Sequence, residues 1–252
     1  VQFTPDLMPA DILGAEVLEE SESGKRAFRF IKGPVFSQLL MADEINRASP
    51  RTQSALLQAM QEKIVTIAGA KHVLPKPFHV LATQNPIEQE GTYPLPEAQL
   101  DRFLLQIDVN FPTLDTERSI LLATTGAKSA KASKAMMSKD LIAMQTLVRN
   151  LPVGEKVVNA ILTLTRNARP DQTELQSVQT DVSWGPGPRA GQALMLATRA
   201  KALLDGRLSP SIDDVLELAG PVLRHRMALT FAARASGTKI DHVIDQLKDS
   251  LR

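Results

Sequence analysis

The sequence contains no cysteine, which excludes disulfide frameworks and thiolate metal sites and suits a reducing, cytoplasmic compartment. Aromatic residues make up only 4%, too few for a base-stacking platform. Charge is balanced, 29 Lys and Arg against 28 Asp and Glu, so no whole-molecule attraction to nucleic acid or an anionic membrane is implied. No apolar run approaches the ~20 residues of a membrane span. The four histidines, His72, His79, His225 and His242, are scattered and match no metal-ligand spacing. No internal repeat is present. At 252 residues the chain can hold one large domain or two modest ones.

What is there falls into two regions. Residues 1–123 mix short β-rich segments with one clear helix, the α/β style. Val1–Thr4, Val35–Ala42, Phe78–Thr83 and Leu104–Val109 read as strands, the last three apolar enough to be covered on both faces. Arg51–Lys63 reads as a helix with Leu56, Leu57 and Met60 on one face. Between strands lie two hairpin-like excursions, one within Asp11–Lys32 and one around Gly69. Residues 124–138, rich in Ala, Lys and Ser, read as a connecting segment. From 139 to 252 apolar residues recur at three- and four-residue spacing, which predicts an all-helical second domain.

Four constellations carry possible chemistry. "LLMADE" ends an apolar strand on two adjacent carboxylates, Asp43 and Glu44, which repel each other beside low-dielectric packing. A magnesium ion carrying phosphates would compensate them, with Asp43 holding the metal through its waters and Glu44 as the base that activates the attacking water. The plainer reading is a strand end that starts a helix. "FHVLATQNP" ends a second strand in Asn85 and Pro86, where an amide could hold a γ-phosphate or simply begin a turn. "GTYPLPEAQLDRF" displays Arg102, which could reach a phosphate on a neighbouring subunit or pair weakly with Asp101. "WGPGPRAGQAL" puts Arg189 in a helix's first turn, where a cation is disfavoured unless an anion meets it. "SGKR" at Ser23–Arg26 is no phosphate loop, because GxxxxGK[ST] needs Gly at Glu19 and Ser or Thr at Arg26.

Singly these signals are weak. In this order, however, "GPVFSQLLMADEINRASPRTQSALLQAMQEKIVTI", "PFHVLATQNPIEQEGTYPLPEAQLDRF", "GPGPRA" and "PVLRHRM" resemble the MoxR branch of AAA+ ATPases along nearly the whole chain. The resemblance implies a partial P-loop AAA+ three-layer αβα core followed by an all-α C-terminal lid. It implies ATP and Mg2+ as cofactors, with a Walker B motif at Asp43 and Glu44, sensor 1 at Asn85, an arginine finger at Arg102 and sensor 2 at Arg189. It makes the excursions the helix-2 insert and the pre-sensor-1 hairpin. Relatives of this kind form hexameric rings and act as chaperones that remodel or activate protein clients, often with a von Willebrand factor A domain partner.

The family's Walker A loop is absent from these residues, and the expectation is that it precedes Val1 in a longer natural chain. Residues 1–252 alone are therefore expected to hydrolyse ATP poorly or not at all. A smaller departure is Gly187, where many relatives carry Ser. Three other readings stand beside the ATPase. One is an inactive AAA+ interaction module, one a chelatase-type motor with similar motifs, and one a DNA-associated motor, which the near-neutral charge disfavours.

Overall fold

The computed structural model describes residues 1–20, 26–85, 91–126 and 132–251. Packing divides the chain into two compact units, Val1–Phe103 and Leu104–Arg252.

In the first unit, α1 (Pro9–Leu13) leads into an antiparallel hairpin of β1 (Gly14–Glu20) and β2 (Arg26–Lys32). Gly14 stands at the base of that hairpin with φ 95°, and a Cβ there would lie 2.2 Å from the Ile31 carbonyl oxygen. No other residue fits this crossing without moving the backbone. The exposed pairs Glu20–Arg26 and Glu19–Arg29 dress the hairpin and contribute little to stability. A 3-10 turn, Pro34–Phe36, replaces the start of the strand expected from Val35, and β3 covers only Leu39–Ala42. Next come α2 (Pro50–Glu62), the hairpin β4 (Ile64–Ile67) and β5 (Ala70–Val73), then β6 (His79–Ala82) and the short α3 (Glu97–Leu100).

β3 and β6 pair in parallel, Leu39 opposite His79 and Ala42 opposite Ala82, so both strands deliver their carboxyl ends to the same side. Val1–Thr4 contributes a single parallel bridge, Gln2 to Asp43, in place of a full strand. The apolar runs of β3 and β6 predict two covered faces. Leu40 and Ala42 are indeed buried, yet Leu39, Met41 and Leu81 are 46–61% exposed, so among the described residues of this unit one face is uncovered. Ser49 caps α2 by accepting the Thr52 N–H, Pro50 occupies its first turn, and Leu56 and Leu57 are fully buried. At the far end Lys63 enters β4 with its ammonium over the Phe78 ring, and burial pulls its pKa down. His72 on β5 stacks on Phe30 of β2 with ring centroids 4.0 Å apart, and Phe36 meets both rings edge-on. This trio ties the two hairpins together.

The second unit opens on Leu104–Val109, which, against the expectation from its apolar run, forms no strand among the described residues. Its groups are taken instead by the helical unit. The Gln106 N–H donates to the Pro221 carbonyl, Arg226 donates to the Leu104 carbonyl, and Arg224 pairs with Asp108. These contacts also explain why the units divide at Phe103 rather than near residue 123. The helices are α4 (Leu114–Thr125), α5 (Ser138–Asn150), α6 (Glu155–Asn167) and α7 (Gln176–Asp181), then, after β7 (Val182–Trp184), α8 (Pro188–Leu204) and α9 (Ile212–Leu223). After β8 (Ala228–Leu229) follow α10 (Phe231–Ala235) and α11 (Ile240–Asp249). β7 and β8 pair antiparallel, so the unit is not purely α-helical. Of the expected connection, Ala132–Met137 has no regular structure and residues 127–131 lie outside the described ones. Ile161 and Leu164 of α6, Leu194 of α8, Val215 and Val222 of α9, and Ile244 and Leu247 of α11 form the core.

One polar cluster locks this core. Asp214, 3% exposed at its side chain, accepts two hydrogen bonds from Arg207 and one from the Ser211 N–H, while Ser211 caps α9 in return. Arg207 holds the Asp214 carboxyl below the usual carboxylate range. A depressed folded value gives stability that is complete above the unfolded value, about 4, and is lost as pH falls through the lower folded value. Thermal melting should therefore show an acid-labile helical unit below about pH 4. Asp214→Asn should melt several degrees lower at pH 7 and lose less on further acidification.

Candidate functional site

The carboxyl ends of β3 and β6 are where an open parallel sheet presents its loops to a ligand. Asp43 follows β3 directly, and Glu44 comes next in the left-handed region, φ 54° and ψ 48°. For a residue with a Cβ this conformation costs roughly 1–2 kcal/mol and persists only where its surroundings impose it. Here the surroundings are visible. The Glu44 N–H donates to Thr83 Oγ1 at 2.9 Å, the Ile45 N–H to the Thr83 carbonyl at 3.0 Å, and the Arg47 N–H to the Glu44 carbonyl at 2.9 Å. Behind this turn Gln53, buried in α2, directs its amide nitrogen at the carbonyls of Ile45, Ala48 and Tyr93. Glu44 thus leads into the short 3-10 turn Ile45–Arg47 from a left-handed conformation that the Thr83 contacts and the buried Gln53 amide hold in place.

The two acids are compensated unequally. Glu44 Oε2 accepts from the Arg47 guanidinium at 3.0 Å and from Gln2 Nε2 at 2.5 Å. Asp43 has no cation against it; Oδ1 accepts from the Thr83 hydroxyl at 2.5 Å, and Oδ2 has no partner among the described residues. A single open carboxylate oxygen at a strand end suits magnesium, which keeps several waters and takes one or two carboxylates beside phosphate oxygens. No group of three or more His, Asp or Glu side chains that could hold a metal ion occurs among the described residues. The donor set fits a water-bound magnesium and does not fit a closed protein cage.

The other expected residues divide. Asn85 is half-buried, three positions past the end of β6, and so leaves the ladder at the same end as the acids. Pro86 lies outside the described residues, as do Ser23 and Lys25 of the rejected loop. Arg102 sits exposed on the turn after α3, with neither Asp101 nor any other described carboxylate paired to it. Arg189 is the second residue of α8, in the helical unit, and is exposed. Gly187 is the N-cap of that helix and has no side chain with which to cap it. Thus Asp43 and Glu44 follow β3 and Asn85 follows β6, two parallel strands whose carboxyl ends lie on the same side, while Arg102 lies on the turn after α3 and Arg189 belongs to the other unit. Sequence reasoning missed Thr83, Gln2 and Arg47. Arg47 was visible as an acid–base pair three residues apart; the other two depend on strand register.

Comparison with known proteins bears on the same elements. Residues 1–105 match the model of the "ATPase family associated with various cellular activities (AAA)", and residues 175–247 match the AAA lid domain. The chain is 41% identical to chaperone MoxR1 of Mycobacterium tuberculosis over 248 residues, 98% of this chain and 65% of that protein. It is 38% identical to YeaC of Bacillus subtilis over 253 residues, 100% of this chain and 76% of that one. The crystal structure of a candidate ATPase from Cytophaga hutchinsonii superposes with a TM-score of 0.89 at 35% identity, covering 98% of this chain and 74% of the other. The chain thus spans about two thirds to three quarters of the length of these relatives. A core with its lid, matched from end to end by MoxR proteins, settles the relationship: the chain belongs to the MoxR family of AAA+ ATPases.

Proposed function

We propose that the full protein hydrolyses ATP with magnesium at the joint carboxyl end of β3 and β6, and uses the cycle to remodel or activate a protein client. The observation that carries this reading is the unequal pair of acids. Asp43 offers an open oxygen suited to magnesium waters, and Glu44 is fixed beside it in a strained turn. Bound magnesium would neutralise charge on the β- and γ-phosphates. Glu44 would take the proton from a water whose oxygen attacks the γ-phosphorus, as the bond to the bridging oxygen breaks and its electrons pass to the ADP leaving group. Glu44 Oε2 is engaged by Gln2 and Arg47, while no described residue binds Oε1, which leaves that oxygen for the water. Asn85 would orient the water or γ-phosphate, and Arg189 would meet phosphate charge from the first turn of α8. Arg102 would serve the site of a neighbouring subunit in a hexameric ring, where nucleotide lies between protomers.

A protein client is favoured by the β1–β2 hairpin. Glu20 pairs with Arg26 and Glu19 with Arg29, so the described residues of the hairpin present no basic stripe, and Leu18 and Phe28 stand exposed opposite one another. A partner with a von Willebrand factor A domain is part of the same proposal. The test is phosphate release by the purified full-length protein. Turnover that requires magnesium and rises with protein concentration as rings assemble supports the reading. Absence of turnover at every concentration would overturn it in favour of an inactive interaction module.

A further inference from the structure

One hydroxyl stands between the two acids. Thr83, the first residue past β6, donates through Oγ1 to Asp43 Oδ1 at 2.5 Å and accepts the Glu44 N–H on the same oxygen at 2.9 Å. Its backbone does the same on either side, donating to the Ala42 carbonyl at 3.0 Å and accepting from the Ile45 N–H at 3.0 Å. A threonine hydroxyl has one proton and two lone pairs. With the Glu44 N–H as donor, the hydroxyl must act as acceptor there, and its single proton is left for the carboxylate, where the bond is charge-assisted. The direction of both bonds is therefore fixed by chemistry. Donation to Oδ1 settles the rotation of the Asp43 carboxylate and leaves Oδ2 as the oxygen without a described partner. Acceptance from the Glu44 N–H helps hold a backbone that would otherwise relax out of the left-handed region.

We propose that Thr83 is a positioning residue for the ATP site, selecting the Asp43 oxygen offered to the metal and holding Glu44 in its turn. The inference rests on the ATPase reading above and names a residue that acts through two others. Strand register alone would have satisfied the backbone groups of Thr83; the side chain is the part that reaches both acids. Valine has the same shape without the hydroxyl, and serine keeps the hydroxyl without the methyl.

The experiment uses the full-length protein as wild type, Thr83→Val and Thr83→Ser. Mn2+ affinity in the presence of ATP is measured by electron paramagnetic resonance, with kcat and KM for ATP alongside. In Thr83→Val, Mn2+ affinity and kcat should each fall about 10- to 100-fold, the usual effect of removing a group that orients a metal ligand, with KM within about twofold. Thr83→Ser should recover most of both. Unchanged Mn2+ affinity and kcat in Thr83→Val would overturn the assignment. So would a serine variant that falls as far as valine, or a valine variant that no longer folds, since either makes the contact structural. Wild-type protein that neither binds nor hydrolyses ATP overturns the ATPase reading itself, whereas wild-type turnover with an unaffected valine variant overturns only the role of Thr83.

Discussion

Arg102→Ala should lower ATP turnover of the assembled protein by about a thousandfold or more, the usual effect of losing an arginine finger. Arg102 is exposed on a turn in which the Arg102 and Phe103 N–H groups donate to the Gln99 and Leu100 carbonyls, and no described carboxylate neutralises it. Removing such a side chain costs the fold almost nothing, so melting temperature should be unchanged. A large kinetic effect without a stability effect is the signature of a cation that works on another molecule. If that molecule is the neighbouring subunit, mixing Arg102→Ala protein with Glu44→Gln protein should restore part of the turnover. Each dead chain then supplies the group the other lacks. A loss that mixing never repairs would place Arg102 in its own subunit's site, and an unchanged rate would remove it from the chemistry.

Glu44→Gln should reduce turnover by about 10²- to 10⁴-fold while leaving ATP binding intact, because it removes the proton acceptor and preserves size. The substitution also separates two roles that the structure joins. The carboxylate is both the expected base and the partner of Arg47 and Gln2. An amide oxygen can still accept from Gln2 and Arg47, so the left-handed turn, fixed mainly through the backbone and Thr83, should persist. Equilibrium binding of a fluorescent ATP analogue checks the first half and single-turnover phosphate release the second. Loss of binding together with turnover would mean that Glu44 holds nucleotide or the turn, not the proton.

Much of this architecture could be read from the chain, for identifiable reasons. α2 was legible because Leu56, Leu57 and Met60 share one face within a single local window, and the structure adds the Ser49 cap and a start at Pro50. The paired acids were legible because an apolar run ending in two carboxylates is a local contradiction that needs compensation. Leu104–Val109 misled for the opposite reason. An apolar, β-branched segment says that it wants to be extended and cannot say what will pair with it, and here Pro221 and Arg226 take its backbone groups. The β7–β8 ladder escaped because a two-residue strand leaves no period to detect. Thr83 and Gln2 were invisible because only the register of β3 against β6, and of the first residues against Asp43, brings them to the acids. Candidate chemistry was legible one residue at a time; the hydrogen bonds that orient it depend on long-range pairing.

The most direct test is a crystal structure of the full-length Glu44→Gln protein with magnesium and ATP, a variant expected to bind without turning over. The account predicts nucleotide at the carboxyl ends of β3 and β6, a magnesium water on Asp43 Oδ2, the Thr83 bond to Oδ1 intact, and Arg102 of the neighbouring subunit at the γ-phosphate. Nucleotide bound elsewhere, or a magnesium ion with no connection to Asp43, would contradict it.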